Sequence, residues 1–412
     1  MASPSPDPPS APPSGGPAAG LAAWLKREAG ALGFHRVGIT SPPPDPVAAA
    51  AYLRWLEEGY HGEMEYLARP EAVARRMDPA LTLPEVRSVV VVAHRYAGGN
   101  DRGLGDEPGR GHVARYARGR DYHDVIREGL ETLHRRLEAH MGQAVAARAY
   151  TDAGPLLERD LARRAGLGWF GRNTMLIHPR AGSWELLGAL LLALDLPADP
   201  PFEDDHCGSC TACLEGCPTG ALLGRDEKGA PLMDARRCIS YFTIESKGPI
   251  PREFRAAMGN RVFGCDICQE VCPWNGDKPA SRWPPPDAAY RPREPLEGPE
   301  LIRLAERILG LSGKGYLREF HGSPLARPRR QGMLRNLCVG LGNTRDAAAV
   351  PVLERALEDR HPLVRGHAAW ALGRVGGEVA REALLTRREV EEDGWVQEEL
   401  ESALAGGWQS GE

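Results

Sequence analysis

The sequence predicts an α+β multidomain fold: a mixed α/β domain, a small module organised around cysteines, and an all-helical end. Three observations predict it. β-branched runs alternate with helix-spaced leucines before residue 195, eight of the nine cysteines fall between Cys207 and Cys272, and an apolar helical pattern recurs after residue 298. At 412 residues the chain has room for two or three domains. Its 42% hydrophobic and 26% charged composition is that of an ordinary soluble protein. The apolar run Leu186 to Leu196 is too short to span a bilayer. A net charge of −5 does not advertise nucleic acid, so the distribution of charge matters more than its sum.

Residues 1–20 are rich in Pro, Ala, Ser and Gly. They lack the basic start and apolar core of a signal peptide and are expected to form a disordered tail. The first domain is expected over 21–195. Leu21 to Leu32 suits an amphipathic helix, and Val37 to Thr40 and Ser88 to His94 suit buried strands. Val125, Leu130, Leu133 and Leu137 give Tyr122 to His140 a helical face. Ala144 to Thr151 is expected as a strand and Leu156 to Ala165 as a helix stopped by Gly166. Thr174 to Ile177 suits a strand; Trp184 to Leu194 suits a strand or a buried helix.

The second domain is expected over 196–285. It begins Cys207-x2-Cys210-x2-Cys213-x3-Cys217-Pro218, the bacterial ferredoxin spacing for [4Fe–4S] ligation. In that pattern three close thiolates hold one cube and the fourth reaches across to a second. The second run, Cys265-x2-Cys268-x3-Cys272-Pro273, has Val262 where its first cysteine would stand, leaving Cys238 to complete the count. One cluster is therefore assigned to Cys207, Cys210, Cys213 and Cys272, the other to Cys217, Cys238, Cys265 and Cys268. Zinc usually takes separated Cys pairs rather than this triplet. Disulfides do not suit a chain without an export signal. Cys338 stands apart in an apolar helical stretch, where a small core residue fits.

The third domain is expected over 286–412, after the proline-rich linker Pro279 to Pro295. Gly340-Leu341-Gly342 returns as Ala371-Leu372-Gly373 and Leu353 as Leu384, each 31 residues on. This suits HEAT-type helical hairpins, which usually present a binding face; a plain helical cap is the alternative. Two stretches are basic. The first carries Arg110, Arg115, Arg118 and Arg120; the second carries Lys314, Arg318, Arg327, Arg329, Arg330 and Arg335. With Tyr116, Tyr316 and Phe320 interleaved, they suit phosphate contacts and base stacking, or equally a solvated charged face.

Asp152 follows a predicted strand and precedes a Gly-Pro turn. A strand-end carboxylate suits a ligand site, where a charge-averse pocket would raise its pKa and let it donate a proton. A turn or helix-capping role competes. Asp121-Tyr122-His123 approaches the Asp-x-His-x-x-Gly signature of some cobalamin proteins, but Ile126 replaces its glycine. His123 is therefore read as a helix residue. No dinucleotide fingerprint or P-loop lysine motif is present.

Together these residues resemble the epoxyqueuosine reductase family of tRNA-modifying enzymes, over roughly residues 20–380. The resemblance lies in RRMDPALTLPEVRSVV (75–90), YARGRDYHDVI (116–126), TDAGPLLERDLARRAGLGWFGRNTMLI (151–177), CGSCTACLEGCPTGAL (207–222), ARRCISYFTIESKG (235–248), GNRVFGCDICQEVCPWN (259–275) and LRNLCVGLGN (334–343). It implies a nitroreductase-like α/β domain holding cobalamin, a ferredoxin-like bis-[4Fe–4S] module and HEAT-like repeats. It further implies reduction of epoxyqueuosine to queuosine at the tRNA wobble position, the last step of queuosine biosynthesis, with electrons passing through both clusters to cobalamin. By the same resemblance Asp152 is the proton donor, and Arg76, Asp152, Asn173, Ser240 and Asp266 are cobalamin contacts. Ala114 stands where one type of member carries a cysteine near the cofactor. Arg327, Arg329, Arg330 and Arg335 are expected to hold tRNA phosphates. The implied partners are tRNA with a GUN anticodon and a low-potential electron donor, in a cytoplasmic monomer with no membrane contact. Competing readings are a reductive dehalogenase-like corrinoid reductase acting on a small molecule, and a bis-cluster electron carrier.

Overall fold

Four consecutive valines, Val89 to Val92, set the centre of the first domain, and all four are fully buried. In the computed structural model, which describes residues 16–97, 107, 109–276, 286–293, 296 and 298–406, they lie on the second strand of a four-stranded sheet. The first domain runs α1 (Pro17–Ala31), β1 (Arg36–Thr40), α2 (Pro46–Glu57), α3 (Glu65–Ala68), α4 (Pro70–Met77), β2 (Ser88–Arg95), β3 (His112–Val113), α5 (Tyr122–Met141), β4 (Ala147–Tyr150), α6 (Glu158–Arg164), β5 (Trp169–Phe170), β6 (Leu176–Ile177) and β7 (Glu185–Leu192). The sheet order is β1-β2-β7-β4, and every pairing in it is antiparallel.

Side chains alternate across a strand. Val90 and Val92 therefore face α1 and α5, packing with Leu25, Ile126 and Leu130, while Val89 and Val91 face α6 with Leu161 and Leu167. Helices on both faces explain why β2 and β7 show apolar runs instead of alternation, and why strand and helix were not separable for Trp184 to Leu194. That segment is β7, paired with β2 from Ser88↔Leu192 to Arg95↔Glu185. α1 starts at Pro17, inside the stretch expected to be a tail; residues 1–15 lie outside the described residues. Helices α2 to α4 had no counterpart in the sequence reading. α2 has no fully buried residue, so its apolar stripe is weak, and its start is set by Asp45, whose carboxylate accepts from Val47 N and Ala48 N.

The cysteine module runs α7 (Ala212–Gly216), β8 (Leu222–Arg225), β9 (Pro231–Met233), α8 (Ile239–Ile244), α9 (Arg252–Arg255), β10 (Arg261–Phe263) and α10 (Ile267–Glu270). It is joined to the first domain through the backbone, because β10 pairs in parallel with β3. Val262, the residue in place of a cysteine, is fully buried on β10 and packs in one core with Val113 and Leu337. That position serves interdomain packing.

The helical part runs α11 (Leu301–Leu309), α12 (Gly313–Glu319), α13 (Arg329–Thr344), α14 (Val350–Leu357), α15 (Pro362–Val375), α16 (Glu378–Val390) and α17 (Gly394–Ala405). The 31-residue interval has a packing cause. A Cβ on Gly342 would sit 2.8 Å from Ala371 Cα, and one on Gly373 would sit 2.9 Å from Ala403 Cβ. Each glycine lets one repeat's helix approach the next. Cys338 is 2% exposed in this core, and burial pushes its thiol pKa up.

Candidate active site and cluster centres

A cleft of about 2220 Å³ lies where the three parts meet. The α/β domain lines it with Arg76, Tyr122, His123, Asp152 and Thr174, the cysteine module with Cys238, Ser240 and Lys247, and the helical stack with Arg327 and Arg329. It exceeds the roughly 300–1,000 Å³ of an ordinary small-molecule site.

Asp152 sits just past β4 with φ of 56°, a left-handed backbone that is uncommon outside glycine. The sheet is antiparallel, so the strand-end rule for parallel sheets does not place it there. Its neighbours do. Tyr122 Oη donates to Asp152 Oδ2 at 2.6 Å, and His123 Nε2 stands 3.4 Å from the same oxygen. Asp152 N–H donates to Glu158 Oε1 at 2.7 Å, and Thr151 Oγ donates to Leu187 O on β7. Asp121, the N-cap of α5, takes His123 N–H and stands 2.7 Å from His123 Nδ1, which fixes the imidazole. His123 is a helix residue, as read, but its place on the first turn turns its ring to Asp152.

The electrostatics differ from the expectation for Asp152. Burial pushes its carboxyl pKa up, but hydrogen bonds from His123 and Tyr122 and the charges of His123 and Arg159 outweigh it and hold it below its ordinary value. Its side chain is nonetheless 68% exposed to the open cleft, so water tempers the upward push of desolvation and the lowered direction stands. Burial lowers His123, yet Asp121 and Asp152 together raise it to about 9. Burial and the Asp152 charge push Glu158 up to about 8. At neutral pH the protons therefore rest on His123 and Glu158, beside an ionised Asp152.

Arg76 is buried at the cleft wall, 5.6 Å over the Tyr52 ring, with Nη1 donating to Ala72 O. Ser240 also lines the cleft. Asn173 and Asp266 are not among its lining residues. Asn173 Nδ2 donates to Cys268 O at 3.2 Å, and Asp266 accepts from Arg115 N at 2.9 Å beside His112. Both brace the cluster loops against the α/β domain. Ala114 is buried, and a Cβ on Gly264 would lie 2.5 Å from its Cβ. Thr174, lining the cleft with φ of 62°, has a buried hydroxyl without a hydrogen-bond partner among the described residues. No pattern in the sequence singled it out.

The basic stretches resolve unequally. Arg330 is buried and pairs with Asp359 at 2.7 Å. Arg335 is fully buried and donates to the carbonyls of Ser246, Gly248 and Phe242. Neither is available to a phosphate; both hold α13 in place, which corrects the expectation for them. Arg115 and Arg118 are likewise buried, Arg120 pairs with Glu128, and Tyr316 and Phe320 are core residues. Arg327 and Arg329 remain exposed on the cleft, with Arg327 paired to Glu245 at 2.9 Å.

The cysteines form two neighbourhoods. Burial, with the charges of Cys272, Cys207 and Cys210, pushes Cys213 up to about 11. Burial, with Cys265, Cys238 and Cys217, pushes Cys268 well up. Among the described residues no three His, Cys, Asp or Glu side chains converge tightly enough for a single metal ion. In the first set Cys210 is exposed, while Cys238 of the second lines the cleft.

Fold and site define the class: an oxidoreductase with a double-cluster module between an α/β domain and a HEAT-type stack. Residues 206–275 match the 4Fe-4S double cluster binding domain, and residues 329–405 match HEAT repeats. Residues 76–153 match the epoxyqueuosine reductase QueG family. The chain is 44% identical over 351 residues to the epoxyqueuosine reductase of Pseudomonas aeruginosa, covering 84% of this chain and 92% of that one. It is 39% identical to that of Escherichia coli over 354 residues, covering 84% and 88%. A crystal structure of epoxyqueuosine reductase with an epoxyqueuosine-modified tRNA-Tyr stem loop superposes with a TM-score of 0.82 at 30% identity, covering 93% of this chain and 98% of that one. The Bacillus subtilis enzyme with its catalytic aspartate loop swung out of the active site gives 0.82 at 31% identity, with the same coverage. This chain belongs to the epoxyqueuosine reductase family.

Proposed function

We propose that this protein reduces epoxyqueuosine to queuosine at the wobble position of tRNA, with cobalamin in the junctional cleft and two [4Fe–4S] clusters in the cysteine module. The observation that supports it most is the shared cleft: Asp152, Cys238 and the exposed Arg327 and Arg329 line one cavity. In the net reaction both C–O bonds of the epoxide break, a C=C bond forms between its carbons, two electrons and two protons are taken up, and the oxygen leaves as water. Bound cobalamin supplies the low-potential chemistry that side chains lack.

The residues present fit that cofactor. The cleft has the volume, Arg76 and Ser240 offer donors on its wall, and the orphaned Thr174 hydroxyl offers another polar contact. Asn173 and Asp266 act indirectly, by fixing the loops that carry Cys268 and Cys265. The cluster ligands are Cys207, Cys210, Cys213 and Cys272 for one cube and Cys217, Cys238, Cys265 and Cys268 for the other. The grouping of the thiols supports this division.

Opening the epoxide leaves an alkoxide that must be protonated. Asp152 is the group at the reacting end, and its pairing with His123 keeps one proton available to the pair. Tyr122 fixes the carboxyl by donating to it. Asp152 therefore delivers a proton that His123 holds at rest. Arg327 and Arg329 take phosphates of the anticodon stem loop. The substrate tRNAs are those with a GUN anticodon, the electrons come from a low-potential donor, and the protein works as a cytoplasmic monomer. The test is Asp152→Asn with clusters and cobalamin loaded. Turnover is expected to fall about 10²- to 10⁴-fold, the usual worth of a general acid; full turnover would remove Asp152 from the chemistry.

A further inference from the structure

The β5–β6 hairpin of the α/β domain reaches into the cysteine module; its Asn173 and Thr174 already have roles, but Trp169 has none. Trp169 on this hairpin is 2% exposed. Its indole Nε1–H donates to Cys207 Sγ at 3.4 Å. The ring is held among His206 at 4.9 Å, Trp274 at 5.2 Å and Phe202 at 5.9 Å between centroids. Arg172 of the same hairpin donates to Gly208 O at 2.7 Å, so the Cys207 loop is gripped at two points. Cys272, of the same thiol set, packs against Trp169 in this apolar patch. In the second set, Cys217 Sγ takes its N–H from Ala221, within the module itself.

We propose that Trp169 is a potential-tuning residue for the cluster on Cys207, Cys210, Cys213 and Cys272, so that the α/β domain sets the redox poise of that cluster and not of the other. The inference rests on the ligand assignment above. Reduction adds negative charge to a cluster and its thiolates. A donor aimed at sulfur stabilises the reduced form more than the oxidised one and raises the potential. The aromatic wall excludes water from one side of Cys207, which strengthens the effect of a single N–H.

The test is an EPR-monitored redox titration of the full chain with both clusters, comparing wild type with Trp169→Phe. Phenylalanine keeps an aromatic ring and removes the N–H. One transition is expected to move to lower potential, with a reduction equilibrium weakened by up to about tenfold, or ~59 mV for one electron. The other transition and the iron content stay unchanged. Two unmoved transitions, or both displaced alike, would overturn the proposal. If the variant fails to hold clusters, wild type carrying nitrogen-15 in its indoles decides the matter. Pulsed EPR of the reduced protein should show indole nitrogen coupling on one cluster signal, and its absence on both overturns the tuning role. Cys207→Ala that still holds two intact [4Fe–4S] clusters would instead sink the ligand assignment.

Discussion

Tyr122, His123 and Glu158 surround Asp152 with three different proton affinities, and this sets the pH behaviour expected of the site. His123 is raised from 6.5 to about 9. A raised histidine is fully protonated in both folded and unfolded chains below its ordinary value. Its contribution to stability is present there and is lost as pH rises through about 9. Turnover should therefore hold across neutral pH and fall above about 9, a limb that His123→Gln removes. Glu158 loses its proton first, near 8, so an inflection there should vanish in Glu158→Gln. A pH–rate profile of the three proteins checks both. Much of this was hidden in the sequence. That Asp152 follows a strand was legible, although the parallel-sheet rule that suggested a ligand site there does not apply to this antiparallel sheet. His123 was read only as a helix residue, because nothing in the sequence shows that the first turn of α5 faces the loop after β4. The direction of the Asp152 shift was missed for the same reason: a pocket was foreseen, but not the cation across from it.

At the scale of elements, close helix approach and buried arginines govern the C-terminal stack. Gly342→Ala gains about 1 kcal/mol of helix propensity but places a Cβ 2.8 Å from backbone, which cannot rotate away. Overpacking of this kind costs about 1–3 kcal/mol, so the variant should melt lower. Gly20→Ala in α1, where the new Cβ meets nothing within 4 Å, should melt higher by the propensity gain alone. Thermal melts of the pair measure packing against propensity. Arg335→Ala leaves three buried carbonyl partners unpaired and should cost at least about 3 kcal/mol. Arg329→Ala should leave the melting temperature unchanged. It should instead weaken tRNA binding and flatten the salt dependence by about 0.7–0.9 in logarithmic slope. Both residues come from one basic stretch, and composition does not separate them. Arg335 and the adjacent Asn336 are fully buried on α13, where a strongly polar pair is the exception, so a charge-based reading assigns the pair to solvent. The repeat itself was legible because its small residues recur at the distance the helices require.

Over the whole molecule, the fold that was read as successive segments is bound together by features with large sequence separation. β10 pairs with β3, and Val113, Val262 and Leu337 from the three parts share one core. No local pattern announces such contacts, which is why the cysteine module read as a separate unit. The same packing explains a feature the sequence did show, the missing cysteine of the second run. Val262 is buried between the parts, and Cys238 at the start of α8 stands near Cys217, Cys265 and Cys268. The cleft exists only because the three parts meet, so the claim that it is a single deoxygenation site is a claim about the assembled chain. Nucleoside mass spectrometry tests it most directly, using epoxyqueuosine-bearing tRNA incubated with cluster-loaded protein and a low-potential reductant, with and without cobalamin. The account predicts loss of one oxygen from the modified nucleoside only when cobalamin is present. An unchanged nucleoside, in protein verified to hold both clusters and cobalamin, would contradict it.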